Sequence, residues 1–218
     1  MRAVLLGECT NFRADIVMVI DTSGSVGKAN WKRLLEFVVR VVDHLNIDAG
    51  HVRIGAVEFE SSAHGVFHLN RYSDATLLKN AIRKVPYLTG GTNTAAGISL
   101  IHHTEFRLKN GDRPDVQNIG IVMLDGSSDN TTNDIQKAVA ARKAGIQMYV
   151  VGITDSVNED NVRLMASQPQ MKDRNFFLPK DFYSLATVAD SLVLTMCNKS
   201  GKNMSLHCLI SENSIFIT

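Results

Sequence analysis

Three side chains give the first chemical signal in the chain. An apolar run, Ile16-Val17-Met18-Val19-Ile20, is bounded by Asp15 and Asp21 and breaks into Asp21-x-Ser23-x-Ser25, with Gly24 between the serines. The run is too short for a typical helix and lacks polar alternation, which predicts a strand buried on both faces of a sheet. Gly24 is expected to serve a tight turn. One carboxylate and two hydroxyls then share a loop at the carboxyl end of that strand. Hard oxygen donors gathered in this way suit Mg²⁺, Mn²⁺ or Ca²⁺ far better than zinc.

Two distant segments can complete such a site. Ile119-Gly120-Ile121-Val122-Met123-Leu124 is a second apolar strand, and it too ends on a carboxylate, in Asp125-Gly126. Gly90-Gly91-Thr92 sits in a glycine-hinged loop ahead of a helix and brings a third hydroxyl. In an open α/β sheet, ligands gather outside the carboxyl ends of the strands, where the strand order reverses. Asp21, Ser23, Ser25, Thr92 and Asp125 are therefore the candidate ligands of one divalent cation. Two carboxylates nearly neutralise the ion, while three hydroxyls leave it electrophilic. Mg²⁺ ordinarily keeps several waters, so a position stays open to an outside oxygen, and a partner's carboxylate fills it best.

The elements that must hold these residues alternate along the chain. Trp31 to Leu45 is strongly amphipathic, with Trp31, Leu34, Leu35, Val38, Val41, Val42 and Leu45 at three- and four-residue steps. Strands are expected at Val52–Phe59 and Gly65–Leu69, close enough for a hairpin and hence one antiparallel edge. A helix capped by Ser73 or Asp74 runs to Val85, with Leu77, Leu78, Ala81 and Ile82 inward, and another spans about Thr94 to Leu108. Further helices are read at Asp134–Ala144, Asn158–Ala166 and Asp181–Thr195, and strands at Gln147–Ile153 and Phe176–Leu178. The pattern predicts a doubly wound α/β fold: a mostly parallel central sheet, one antiparallel edge strand, and helices on both faces.

The totals narrow the function. A chain of 218 residues holds one sizeable domain, and a net charge of +1 without a charged block gives no case for nucleic acid. No apolar run approaches the roughly 20 residues of a membrane helix, so membrane insertion is not expected. Cys9 and Cys197 flank the fold and suit a bridge closing its ends in an oxidising compartment; the alternative is three isolated thiols, Cys208 included. Asn130, Asn198 and Asn203 begin glycosylation sequons. Gly24-Ser25-Val26-Gly27-Lys28 lacks the spacing of a phosphate loop. His102-His103 points two ways from a helix, a poor metal site. No histidine is placed to activate Ser23 or Ser25, and position 23 lacks the acid of metal-dependent phosphotransferases, so no enzyme is expected.

In its five candidate ligands, and in order over residues 9–197, the sequence resembles the von Willebrand factor type A domains, whose metal-ion-dependent adhesion site is Asp-x-Ser-x-Ser plus a distal Thr and Asp. The resemblance assigns Asp21, Ser23 and Ser25 to the triad, Thr92 to the threonine and Asp125 to the distal aspartate. It implies that the three hydroxyls contact the ion directly and that the aspartates often act through water. Leu124 departs from the family's usual Thr before Asp-Gly. Flanking cysteines, and the lack of a long helical insertion between Asp125 and Gln147, resemble extracellular-matrix members such as matrilins and the A domains of collagens more than integrin I domains. The implied function is adhesion to collagen or another matrix protein through an acidic side chain of the partner. Secretion to the extracellular matrix follows from the same resemblance. The rival readings are an intracellular interaction module of the same fold and a structural assembly domain whose metal site is dispensable. Residues 1–8 read as a signal-peptide remnant or fragment start, and 198–218 as a linker or truncated extension.

Overall fold

The structure, a computed structural model, describes Cys9 and residues 11–200, the last two by backbone alone. Strands β1 (Ala14–Asp21), β2 (Val52–Phe59), β3 (Ala63–Phe67), β4 (Gln117–Leu124), β5 (Gln147–Gly152) and β6 (Phe176–Phe177) form one sheet in the order β3-β2-β1-β4-β5-β6. All pairings are parallel except β2–β3. This is the doubly wound architecture that the sequence implies.

The apolar run of β1 explains its central place. All eight residues are buried, and their two-residue alternation divides them between two cores. Ile16, Met18 and Ile20 pack with α1 (Gly27–Val42), α2 (Ala75–Ile82) and α6 (Leu185–Ser200) through Leu34, Val38, Ile82 and Leu192. Val17 and Val19 pack with α3 (Thr94–Leu100), α4 (Thr131–Lys143) and α5 (Glu159–Met165) through Ile98, Ala138 and Val162. Among the described residues no helix is long and apolar enough to cross a membrane.

Asp15, near the amino end of β1, is fully buried and tied across 98 residues to Arg113. The Arg113 backbone N–H donates to Oδ2 at 2.6 Å and its Nε to Oδ1 at 2.9 Å. The rest of the guanidinium donates to the carbonyls of Ala14, Gly50 and His51. A buried charge is tolerable only when it is paired and hydrogen-bonded, and here both oxygens are.

Several elements differ from the periodicity. The first helix starts at Gly27, whose φ of 72° supplies the left-handed residue of the opening turn; Gly24 has no positive φ. Leu77 is 59% exposed, because α2 buries Leu78 and Ile82 at i, i+4 and turns Leu77 away. Helix α3 widens into a π turn over Ile101–Glu105, where fewer degrees separate successive residues, and the His102 and His103 rings stack at 4.2 Å instead of diverging. Asp181 caps the turn before α6, accepting from the Tyr183 and Ser184 N–H groups. The helix itself begins at Leu185 and continues to Ser200, so Cys197 lies inside it. Residues 1–8 and the segment from 201 onward, with Asn203 and Cys208, lie outside the described residues.

Candidate metal centre

From β1 the chain builds outward to β2 and β3, then crosses back to place β4 on the other side of β1. The reversal therefore falls between β1 and β4, with Ile20 registered against Met123. Asp21 is the last residue of β1, and Asp125 directly follows the last residue of β4. Topology thus brings both carboxylates to the crevice where α/β sheets collect ligands.

The local bonds link four of the five candidates. Asp21 Oδ1 accepts from the Ser23 N–H at 2.8 Å. Ser25 Oγ donates to Asp125 Oδ1 at 2.7 Å, and the Ser23 and Ser25 hydroxyl oxygens lie 2.9 Å apart. Thr92 is buried and lines a cleft of about 470 Å³ with Ser25 and Asp125. All five candidate residues are thus gathered at one edge of the sheet.

Their charges have no counter-charge among the described residues. Asp21 and Asp125 are both buried, and among the described residues neither has an ion-pair partner. Asp21 Oδ2 is a buried acceptor with no hydrogen-bond donor. Burial pushes the Asp21 carboxyl up to about 6, with the nearby Asp125 charge acting in the same direction and the Ser23 bonds opposing. Burial also raises the Asp125 carboxyl, against the Ser25 hydrogen bond. An orphaned carboxylate oxygen beside a second carboxylate and three hydroxyls fits a hard divalent ion, and nothing in the donor set favours a soft one.

Supporting residues escape the sequence pattern because they act on backbone. The Tyr87 hydroxyl accepts from the Gly27 N–H at 3.0 Å and donates to the Ser23 carbonyl at 2.9 Å, pinning both ends of the first loop. Thr154, held at φ 72°, donates from its hydroxyl to the Asp125 carbonyl at 3.0 Å. Leu124, in the place of the family's Thr, is buried in the core on the α3–α5 side of the sheet. Thr92 is held by Ser128 and Asp129 of the loop after β4. No residue-type motif marks these bonds. The positive φ of Thr154 is visible only in the folded backbone.

Cys9 and Cys197 form a disulfide with Cα atoms 5.3 Å apart. Asn130 is exposed and caps α4, its Oδ1 accepting from the Asn133 N–H at 3.1 Å. Asn198 is exposed on α6.

The family model for the von Willebrand factor type A domain matches residues 15–191. Human matrilin-1 is 32% identical over 183 residues, covering 84% of this chain and 36% of that protein. The collagen alpha-1(XII) chain of Notophthalmus viridescens is 30% identical over 189 residues, 87% of this chain and 20% of that one. This chain thus spans about a third, or less, of the length of these curated relatives. Among solved structures, proximal thread matrix protein 1 of the mussel byssus superposes with a TM-score of 0.79 at 24% identity, over 85% of this chain and 48% of that chain. A structure of the same mussel protein with a zinc-occupied MIDAS motif gives 0.79 at 23% identity, again over 85% and 48%. At such identities these structures speak to the fold.

Proposed function

The chain belongs to the von Willebrand factor type A domain family, its curated relatives being of the extracellular-matrix type, and from that premise we propose that it is a matrix adhesion module. Asp21, Ser23, Ser25, Thr92 and Asp125 would hold a divalent cation, Mg²⁺ by the hardness of the oxygen donors, with Mn²⁺ and Ca²⁺ as substitutes. The observation that carries this reading is Asp21 Oδ2, a buried carboxylate oxygen with no donor, beside Asp125 and the paired serines. When bound, the ion supplies an electrophilic position for a carboxylate of a partner such as collagen. The chain's own contribution is geometric and electrostatic. Two carboxylates cancel most of the ion's charge, and the hydroxyls keep the rest available to an outside anion. The cleft lies open beside Asn30, Ser127 and Ser156, which gives an incoming side chain polar walls.

The Cys9–Cys197 bridge supports the secreted reading over the intracellular one, since such bonds persist in oxidising compartments. Asn130 and Asn198 are the glycosylation sites this reading takes. Asn130 stands on the loop that carries Asp125, five residues beyond it, and its cap uses only Oδ1, leaving the amide nitrogen for a glycan. Removing that glycan with Asn130→Gln is expected to raise the association rate with a matrix partner; an unchanged rate disposes of the shielding role.

Surface binding to collagen and other matrix proteins, in Mg²⁺ and in chelator, tests the main proposal. Binding is expected in Mg²⁺ and absent in chelator. Equal binding in both would reject bridging by a cation and leave the dispensable-site assembly reading in its place.

A further inference from the structure

The loop after β4 does more than deliver Asp125. Its residue Asp129 accepts the Thr92 N–H at Oδ2 over 3.0 Å, and its own N–H donates to the Thr92 carbonyl at 2.9 Å. The neighbouring Ser128 hydroxyl donates to the same carbonyl at 2.8 Å. Three bonds therefore join two loops that are 36 and 37 residues apart in sequence, and all three end on the backbone of Thr92. The glycine before it permits this approach. A Cβ at Gly91 would lie 2.9 Å from Asp129 Oδ2 and 3.3 Å from Ser61 Oγ, so a side chain there would push the clamp apart. Gly91 thus serves the close approach of Asp129 and not a positive φ. Ser61 Oγ accepts the Gly91 N–H at 2.9 Å and holds the loop from the other side.

We infer that Asp129 is a positioning residue: by hydrogen bonding to the Thr92 backbone it fixes the Thr92 hydroxyl in the cleft shared with Ser25 and Asp125, and so sets cation affinity without touching the ion. The inference rests on the proposed metal site. Partners that orient the direct ligands of a metal are worth about 10- to 100-fold in affinity. A loop bond of this kind, partly exposed, belongs near the lower bound.

Isothermal titration of the intact chain with Mg²⁺ and with Mn²⁺ tests it, alongside melting in chelator. Asp129→Ala is expected to weaken cation affinity about 10-fold while melting in chelator with the parent. Asp129→Asn keeps an amide oxygen for the Thr92 N–H and is expected to recover most of the affinity. Parent-like affinity in Asp129→Ala overturns the inference, as does a loss matched by a lower melting temperature in chelator. So does Asp129→Asn binding as weakly as Asp129→Ala, since a charge effect and not a positioning bond would then be at work. Asp125→Ala separates the two levels. If it abolishes binding while Asp129→Ala does not alter it, only the positioning role fails; if it binds like the parent, the metal site itself fails.

Discussion

Asp15 and Asp21 lie on the same strand, six positions apart, equally buried and both raised by desolvation, yet the protein completes only one of them. At the amino end of β1, Asp15 has both oxygens occupied by Arg113, whose remaining donors fasten three carbonyls. At the carboxyl end, Asp21 has one oxygen bonded to its own loop and one with nothing. Arg113 makes Asp15 part of the scaffold. The unmatched charge at Asp21 is what the proposed cation would balance. The difference teaches that burial alone does not mark a site. An unpartnered oxygen alone does not either, since Glu58 Oε2 and Asp134 Oδ1 share that state. What sets Asp21 apart is its place at the strand-order reversal with Ser23, Ser25 and Asp125.

The largest effect that would break this contrast is functional. Asp21→Ala is expected to abolish Mg²⁺-dependent adhesion while far-ultraviolet circular dichroism stays that of the parent; retained adhesion would make Asp21 as structural as Asp15. Next comes Arg113→Met, which strands the Asp15 charge and is expected to cost about 3–5 kcal/mol in denaturant unfolding. A loss under 1 kcal/mol would remove the scaffold role. Replacing Cys9 and Cys197 by Ser together should cost about 2–4 kcal/mol, read the same way, and leave cation affinity unaltered because the bridge is remote from the cleft.

A smaller effect sharpens the comparison through pH. The folded Asp21 carboxyl, at about 6, lies above the ordinary 3.8, so the folded chain holds this proton more tightly than the unfolded one. The stability it contributes is full below about pH 4 and is lost as pH rises through 6, a change on the order of 1–3 kcal/mol. In chelator, Asp21→Asn should flatten the melting temperature over that interval, and saturating Mg²⁺ should do the same for the parent. A slope identical in parent and variant would show that Asp21 is not the group responsible.

How much of this was legible depends on range. Asp21, Ser23 and Ser25 stand within five residues, so their shared loop is written locally, and β1 and β4 announce themselves as uninterrupted apolar runs. Asp125 and Thr92 could be joined to them because an α/β sheet gathers strand ends at one edge. The Asp15–Arg113 pair had no such rule. Asp15 reads as the boundary of a strand, and nothing in the sequence near residue 113 points 98 positions back. Tyr87, Thr154 and Asp129 were invisible for another reason: each bonds to main chain, which every residue offers. The helix edges slipped where caps outweighed periodicity, as at Asn130 and Asp181, and Leu77 was misplaced because adjacent leucines cannot both face one core.

The sulfur bridge between Cys9 and Cys197 carries a mechanical consequence. These residues are 188 apart in sequence but only 5.3 Å apart in space. A tug applied through the flanking chain crosses from one to the other over covalent bonds and bypasses the sheet and helices between them. Tension applied at these two points would therefore leave the strands that carry the cleft unloaded.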